Sequence, residues 1–150
     1  MRNRGFEVVK DEMRKTIGSI KLPQKGTKDA IAYDIYSPID VTIDPMKKVL
    51  IWTDVKAYFN KTEALVINVR SSMGNQPIIL ANTQGWVESD YYCNEKNDGN
   101  LGLNLFNLGE TPYVIKKGDR IGQCMFINKL DADHGNTENE RNGGFGSTGK

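Results

Sequence analysis

Val49-Leu-Ile-Trp-Thr-Asp-Val-Lys-Ala-Tyr-Phe59 is the stretch that decides the fold. Its odd positions Val49, Ile51, Val55, Ala57 and Phe59 are apolar, while Asp54, Lys56 and the following Asn60 take even positions. Successive side chains of a strand point to opposite faces, so this stretch reads as a strand pair or one long strand with a single buried face. Leu65, Ile67 and Val69 repeat the pattern up to Arg70, and Leu101, Leu103 and Leu105 repeat it before a turn at 107–110. A second turn at 116–119 leads into an apolar run over 121–127. Helical periodicity is almost absent, and the single helical candidate, around 11–16, is short. Many short strands separated by Gly, Asn and Asp clusters predict an all-β jelly roll or barrel.

A chain of 150 residues fits one domain with a real hydrophobic core. Its 20 Lys+Arg against 19 Asp+Glu give a net charge of +1, and the basic residues are scattered, so direct nucleic-acid binding is not expected. No apolar run reaches the length of a membrane span, and the Met-Arg-Asn-Arg start lacks the apolar core of a signal peptide. The expectation is a soluble cytoplasmic protein, or one of the host cytoplasm if the source is viral, with no membrane partner. Cys93 and Cys124 read as free thiols rather than a disulfide framework. The lone histidine, His134, sits in a polar stretch, which argues against histidine-dependent catalysis.

Two polar segments interrupt the strand rhythm. Residues 94–99 read as an exposed hairpin loop, a tolerated surface insertion. Residues 131–150 carry almost no apolar side chain except Phe145, so burial there cannot offset ordering entropy; the expectation is a barrel over 1–130 followed by a flexible arm over 131–150. The end of that arm, Arg141-Asn-Gly-Gly-Phe-Gly-Ser-Thr-Gly149, has the composition of a phosphate clamp. Glycines such as Gly146 let backbone N–H groups approach a ligand, Ser147 and Thr148 add hydroxyls, and Arg141 offers a guanidinium fork. Phe145 could stack on a base.

This terminal stretch resembles the last signature motif of the dUTPase family, and the remaining motifs follow in order. Asp29-Ala-Ile-Ala-Tyr-Asp-Ile35 resembles the first, Val69-Arg-Ser-Ser-Met-Gly74 the second, Asn82-Thr-Gln-Gly-Trp-Val-Glu-Ser-Asp-Tyr91 the third and Gly118-Asp-Arg-Ile-Gly-Gln123 the fourth. The resemblance implies a trimeric enzyme with shared active sites that hydrolyses dUTP to dUMP and pyrophosphate, limiting uracil in DNA and supplying dUMP. It implies that Arg70, Ser71 and Ser72 contact the α and β phosphates and that Gln123 helps hold the phosphate chain. Tyr91 would pack on the deoxyribose and leave no room for a 2′-hydroxyl. Backbone atoms of a hairpin, Asn82 to Val87 with Gly85 and Trp86 on one side and Leu101 and Gly102 on the other, would read the uracil edge. Mg²⁺ would be held through substrate phosphates and water, with no direct protein ligand; Asp34 would steady it through water or support the barrel.

The match departs from the family pattern where the water-activating base is usually an aspartate: here it is Glu88, one methylene longer, with Asp90 nearby as a second carboxylate. Glycines expected in the first and third motifs are replaced at Ala32 and Cys93, and Gly122 stands where alanine is usual. The Gly85-Trp86 pair also resembles the dCTP deaminases. Those need a glutamate at a position that is Asn104 here, and an amide cannot take the proton. A regulatory nucleotide-binding protein with weak catalysis is the remaining alternative.

Overall fold

The computed structural model describes residues 1–141, 143, 144 and 149. The alternating stretches become short antiparallel strands: β1 (Gly5–Val8), β2 (Tyr33–Tyr36), β3 (Val41–Ile43), β4 (Lys48–Trp52), β5 (Val55–Tyr58), β6 (Glu63–Asn68), β7 (Ile78–Leu80), β8 (Gly85–Val87), β9 (Gly102–Asn107), β10 (Tyr113–Ile115) and β11 (Arg120–Asn128). They pair as β2-β11-β6-β8, β4-β9-β7, β1-β5 and β10-β3, every pairing antiparallel. The result is the expected all-β, jelly-roll-like barrel. The helical candidate near 11–16 shrinks to one 3-10 turn, Asp11–Met13.

Ile51 of β4, Leu65 of β6, Ile78 of β7, Leu103 and Leu105 of β9 and Ile121 of β11 are all 0% exposed, so the two larger sheets share one core. Fully burying such a side chain is worth about 1.5–3 kcal/mol, which makes these contacts the main source of stability. Gly122 is explained by the same packing. A Cβ there would lie 2.6 Å from Leu103 Cδ2 and 3.1 Å from the Asn68 carbonyl, so this core has no room for alanine. Cys124, on the same strand, is buried, and burial pushes its thiol up to about 12. Both cysteines are free.

The decisive stretch 49–59 is two strands that do not pair with each other. β4 joins β9 and β5 joins β1, and the chain turns between them at Asp54, whose φ is +57. The even positions expected in solvent are buried: Asp54 is 0% and Lys56 6% exposed. Alternation fails there because each charge has found partners. Asp54 accepts from the backbone N–H groups of Lys15 (2.8 Å) and Thr16 (2.9 Å) and from Asn100 Nδ2 (2.8 Å). Lys56 Nζ lies 2.7 Å from Asp98 Oδ2, which also accepts from the Lys10 N–H at 2.8 Å.

Asp98 belongs to the 94–99 segment, which is therefore not an exposed insertion. Asn94, Asp98, Gly99 and Asn100 are buried, and the segment folds as turns tied to the barrel. Cys93, in place of a family glycine, adopts φ +58, the left-handed conformation in which glycine is unstrained.

Burial opposes ionisation of Asp98, but Lys56 and the Lys10 N–H outweigh it and hold the carboxyl below its ordinary 3.8. The stabilisation that Asp98 gives is therefore present above pH 3.8 and is lost as pH falls through the lower native value. Lys56→Met should cost about 3–5 kcal/mol at neutral pH, because it strands a buried carboxylate. In urea unfolding that penalty should shrink at pH 3, where the abandoned carboxyl takes up a proton; an equal penalty at both pH values would refute the pairing.

Candidate active site

Two glycines open a cleft between the sheets. At Gly85, opposite Ile67 in the β6–β8 ladder, a Cβ would stand 3.1 Å from the Ile67 Cβ; at Gly102 a Cβ would meet the Trp52 ring at 3.0 Å. Both glycines line a cavity of about 180 Å³. Ile67, Asn82, Gly85, Trp86, Val87, Glu88, Tyr91, Leu101, Gly102, Arg141 and Gly144 line it. The structure thus brings the sequence-predicted residues Asn82, Gly85, Trp86, Val87, Glu88, Tyr91, Leu101, Gly102 and Arg141 to one place. The two walls are not strands of one hairpin, as the sequence had suggested. β8 pairs with β6, while β9 pairs with β4 and β7, so the cleft lies between separate sheets.

Glu88 has extended backbone (φ −90°, ψ 158°) and leads into the 3-10 turn Ser89–Tyr91, so 88–91 is not a continuing strand and Asp90 is not on the same strand face as Glu88. Both carboxylates face one guanidinium. Arg141 Nη2 lies 3.0 Å from Glu88 Oε2, and Arg141 Nε lies 2.9 Å from Asp90 Oδ1. The arginine side chain is 15% exposed, against 54% and 57% for its two partners, so the arm buries its cation against the rim. Residues 131–140 are exposed throughout, and the chain returns to the barrel at Arg141, Gly143 and Gly144. Gly144 lies against Tyr91: a Cβ there would be 2.5 Å from Tyr91 Cε2. Burial raises the Tyr91 hydroxyl above its ordinary value, with Asn97 and Arg141 opposing the shift. Phe145, Gly146, Ser147 and Thr148, which the sequence places at the base and phosphates, lie outside the described residues.

A second group of polar residues lies on β2, β11 and β6, outside the cleft lining. In the ladder Gln123 stands opposite both Asp34 and Asn68. Asp34 is shared by Arg70 Nε at 3.1 Å and Arg120 Nη1 at 3.5 Å. Arg70 precedes the 3-10 turn Ser71–Asn75 and reaches Ser72 Oγ at 3.4 Å, with Ser71 and Ser72 exposed on the turn. Asn68 and Gln84 join the two groups through a 2.9 Å bond from Gln84 Nε2 to Asn68 Oδ1. Sequence reading missed Asn68, Gln84 and Arg120, although Arg120 lies inside the fourth motif and Asn68 directly precedes the second. Among the described residues no cluster of His, Cys, Asp and Glu forms a metal cage. Asp34, flanked by two guanidiniums, suits an outer contact to a hydrated ion rather than a direct ligand.

The all-β, jelly-roll-like barrel is the fold of solved dUTPase structures. The family model for dUTPase matches residues 18–149, and the chain belongs to the dUTPase family. A deoxyuridine 5'-triphosphate nucleotidohydrolase of Lactococcus lactis is 38% identical over 99% of both chains. One from fowlpox virus is 36% identical over 86% of this chain and 90% of its own. The crystal structure of dUTPase from Streptococcus mutans superposes with a TM-score of 0.75 at 30% identity, covering 87% of this chain and 99% of that one.

The close fit of Gly144 on Tyr91 gives a test of the docked arm. Gly144→Ala should leave the melting temperature of the barrel nearly unchanged, since no core contact is lost, but should lift the arm and speed tryptic cleavage after Arg141 several-fold. Unchanged cleavage would mean that the arm does not rest on Tyr91.

Proposed function

We propose that this protein hydrolyses dUTP to dUMP and pyrophosphate, keeping uracil out of DNA and supplying dUMP for dTMP synthesis. The observation that carries the reading is the cleft itself, where backbone at Gly85 and Gly102, the Tyr91 ring and the Glu88 carboxylate converge in a chain of this family. Backbone lining the cleft at Asn82, Val87 and Gly102, with Leu101 as a packed wall, suits the uracil edge, which presents the donors and acceptors of a paired base. Tyr91 then meets the sugar, and Glu88 takes a proton from the water that attacks the α-phosphorus. Removing Arg141 from Glu88 frees the base, and a polyphosphate is the natural competitor for that guanidinium.

Arg70, Ser71, Ser72 and Gln123 serve the phosphate chain in this reading, and Asp34 holds Arg70 ready for it. The arm over 131–150 closes on the barrel over 1–130, with Phe145 on the base and Gly146, Ser147 and Thr148 at the phosphates. Mg²⁺ fits as an ion carried by phosphate oxygens and water, supplying charge neutralisation. The phosphate group of residues lies outside the cleft lining, which supports a site completed by neighbouring copies, and the working form is a homotrimer with shared sites. Exposed Leu108 (42%) and Val114 (55%) offer apolar surface for it. Among the described residues no helix is long and apolar enough to cross a membrane. A dUTP-consuming enzyme works where the deoxynucleotide pool is, in the cytoplasm, or the host's cytoplasm if the source is viral.

Pyrophosphate release from dUTP, dCTP, dTTP and UTP, each with Mg²⁺ and with chelator, tests the reading: dUTP should be selected and chelator should stop turnover. Ammonia from dCTP would make it a deaminase instead. Glu88→Gln should lower turnover by at least about 10²-fold, in the range of a lost general base, with dUTP binding retained; parent-rate turnover would move the role to Asp90. Sedimentation equilibrium should give a trimer, and a fully active monomer would refute shared sites.

A further inference from the structure

Asn97 lies in the polar segment between Tyr91 and β9, and its amide touches the Tyr91 hydroxyl of the cleft. Asn97 Nδ2 lies 2.8 Å from Tyr91 Oη, and Tyr91 Oη lies 2.6 Å from the Asn100 carbonyl oxygen. The direction of each bond follows from the neighbours. Asn94 Oδ1 accepts the backbone N–H groups of Lys96 (3.0 Å) and Asn97 (3.2 Å), so Asn94 Nδ2 must face the other way. There it donates to the Tyr91 carbonyl at 2.8 Å and to Asn97 Oδ1 at 2.7 Å. Asn97 Oδ1 also accepts the Gly99 N–H at 3.0 Å, which leaves Asn97 Nδ2 as the donor to Tyr91 Oη. The tyrosine hydrogen is then committed to the Asn100 carbonyl.

We infer that Asn97 is a positioning residue that sets sugar selectivity by occupying the hydroxyl of Tyr91. With its hydrogen given to Asn100 and a lone pair taken by Asn97, the hydroxyl is tied to the wall and only ring carbon faces the cleft. A 2′-hydroxyl brought against that ring loses water and gains no partner, a cost that a deoxyribose does not meet. The loop cannot drift, because Asp98, next in the chain, is locked to Lys56 at 2.7 Å, and Asn100 is locked to Asp54 at 2.8 Å. This inference rests on the reading of Tyr91 as the sugar wall.

The test is the ratio of kcat/KM for dUTP over UTP in the full-length protein, the Asn97→Ala and Asn97→Asp variants, and each change combined with Tyr91→Phe. Asn97→Asp keeps the size and the acceptor atoms of Asn97 but cannot donate to the hydroxyl, so it preserves the loop if alanine does not. Both changes should lower the ratio about tenfold in the parent background, within the range set by a lost buried hydrogen bond. Neither should lower it further when residue 91 is phenylalanine, an absence of additivity that a general loosening of the loop would not produce. Parent-like selectivity in both single variants, with dUTP hydrolysis intact, overturns the inference and leaves the proposed activity standing. Equal turnover of UTP and dUTP by the unchanged protein overturns the sugar-wall reading and this inference with it.

Discussion

A carboxylate with no exposure to water, Asp54, holds together parts of the chain that strand pairing alone leaves separate. It sits where the chain leaves the β4-β9-β7 sheet to enter β5, with a left-handed φ that makes the corner. Its oxygens take the N–H groups of Lys15 and Thr16 and the amide of Asn100, and its own N–H donates to Asn100 Oδ1 at 2.9 Å. One buried charge thus fixes the N-terminal segment, the strand corner and the base of the 94–99 segment. A buried carboxylate is tolerated only when hydrogen bonds replace its lost hydration, so these partners stand or fall together. Asn100 in turn accepts the Tyr91 hydroxyl, which passes the constraint to the cleft.

The polar residues around Asp34 obey a different logic. Asp34, Gln123 and Asn68 are placed by the β2-β11-β6 ladder, whose register puts Gln123 across from both Asp34 and Asn68; Arg120 stands at the register shift between β11 and β2, and Arg70 lies just past β6. The cleft joins strand residues of β6, β8 and β9 to irregular chain, the turn before Gly85 and the 3-10 turn ending at Tyr91. In the proposed reading the ladder meets the charges of a polyphosphate, and the glycine-lined backbone meets the planar edge of a base.

Much of the fold was legible because the Leu101, Leu103, Leu105 alternation and its counterpart at Leu65 and Ile67 are consequences of strand geometry that no partner residue can change. The ordered motifs were equally legible and placed Glu88, Tyr91, Gly85 and Gly102 around one cleft. Lys56 and the 94–99 segment were misread for one reason. A polar side chain signals solvent unless its partner is known, and Asp98 lies 42 residues from Lys56 while the partners of Asp54 lie 38 to 46 residues away in sequence. The supposed hairpin failed similarly, since nothing local to β8 says that it pairs with β6 rather than with β9. Gly122 looked like a small departure until Leu103, from another sheet, was found to occupy the space of its missing methyl.

The exposed stretch 131–140, with Arg141 anchored at its far end, makes the arm a tethered ligand for its own barrel. Tethering sets the local concentration of Arg141 at the rim in the millimolar range or above, whatever the amount of protein in solution. A two-carboxylate contact too weak to hold a free arginine can therefore stay formed, and in the proposed reading an incoming polyphosphate has to compete with it. Doubling the tether length changes the closure cost by only about 0.6 kcal/mol. Sequence and length between the barrel and Arg141 are thus free to vary, while the anchor and the glycine behind it are not.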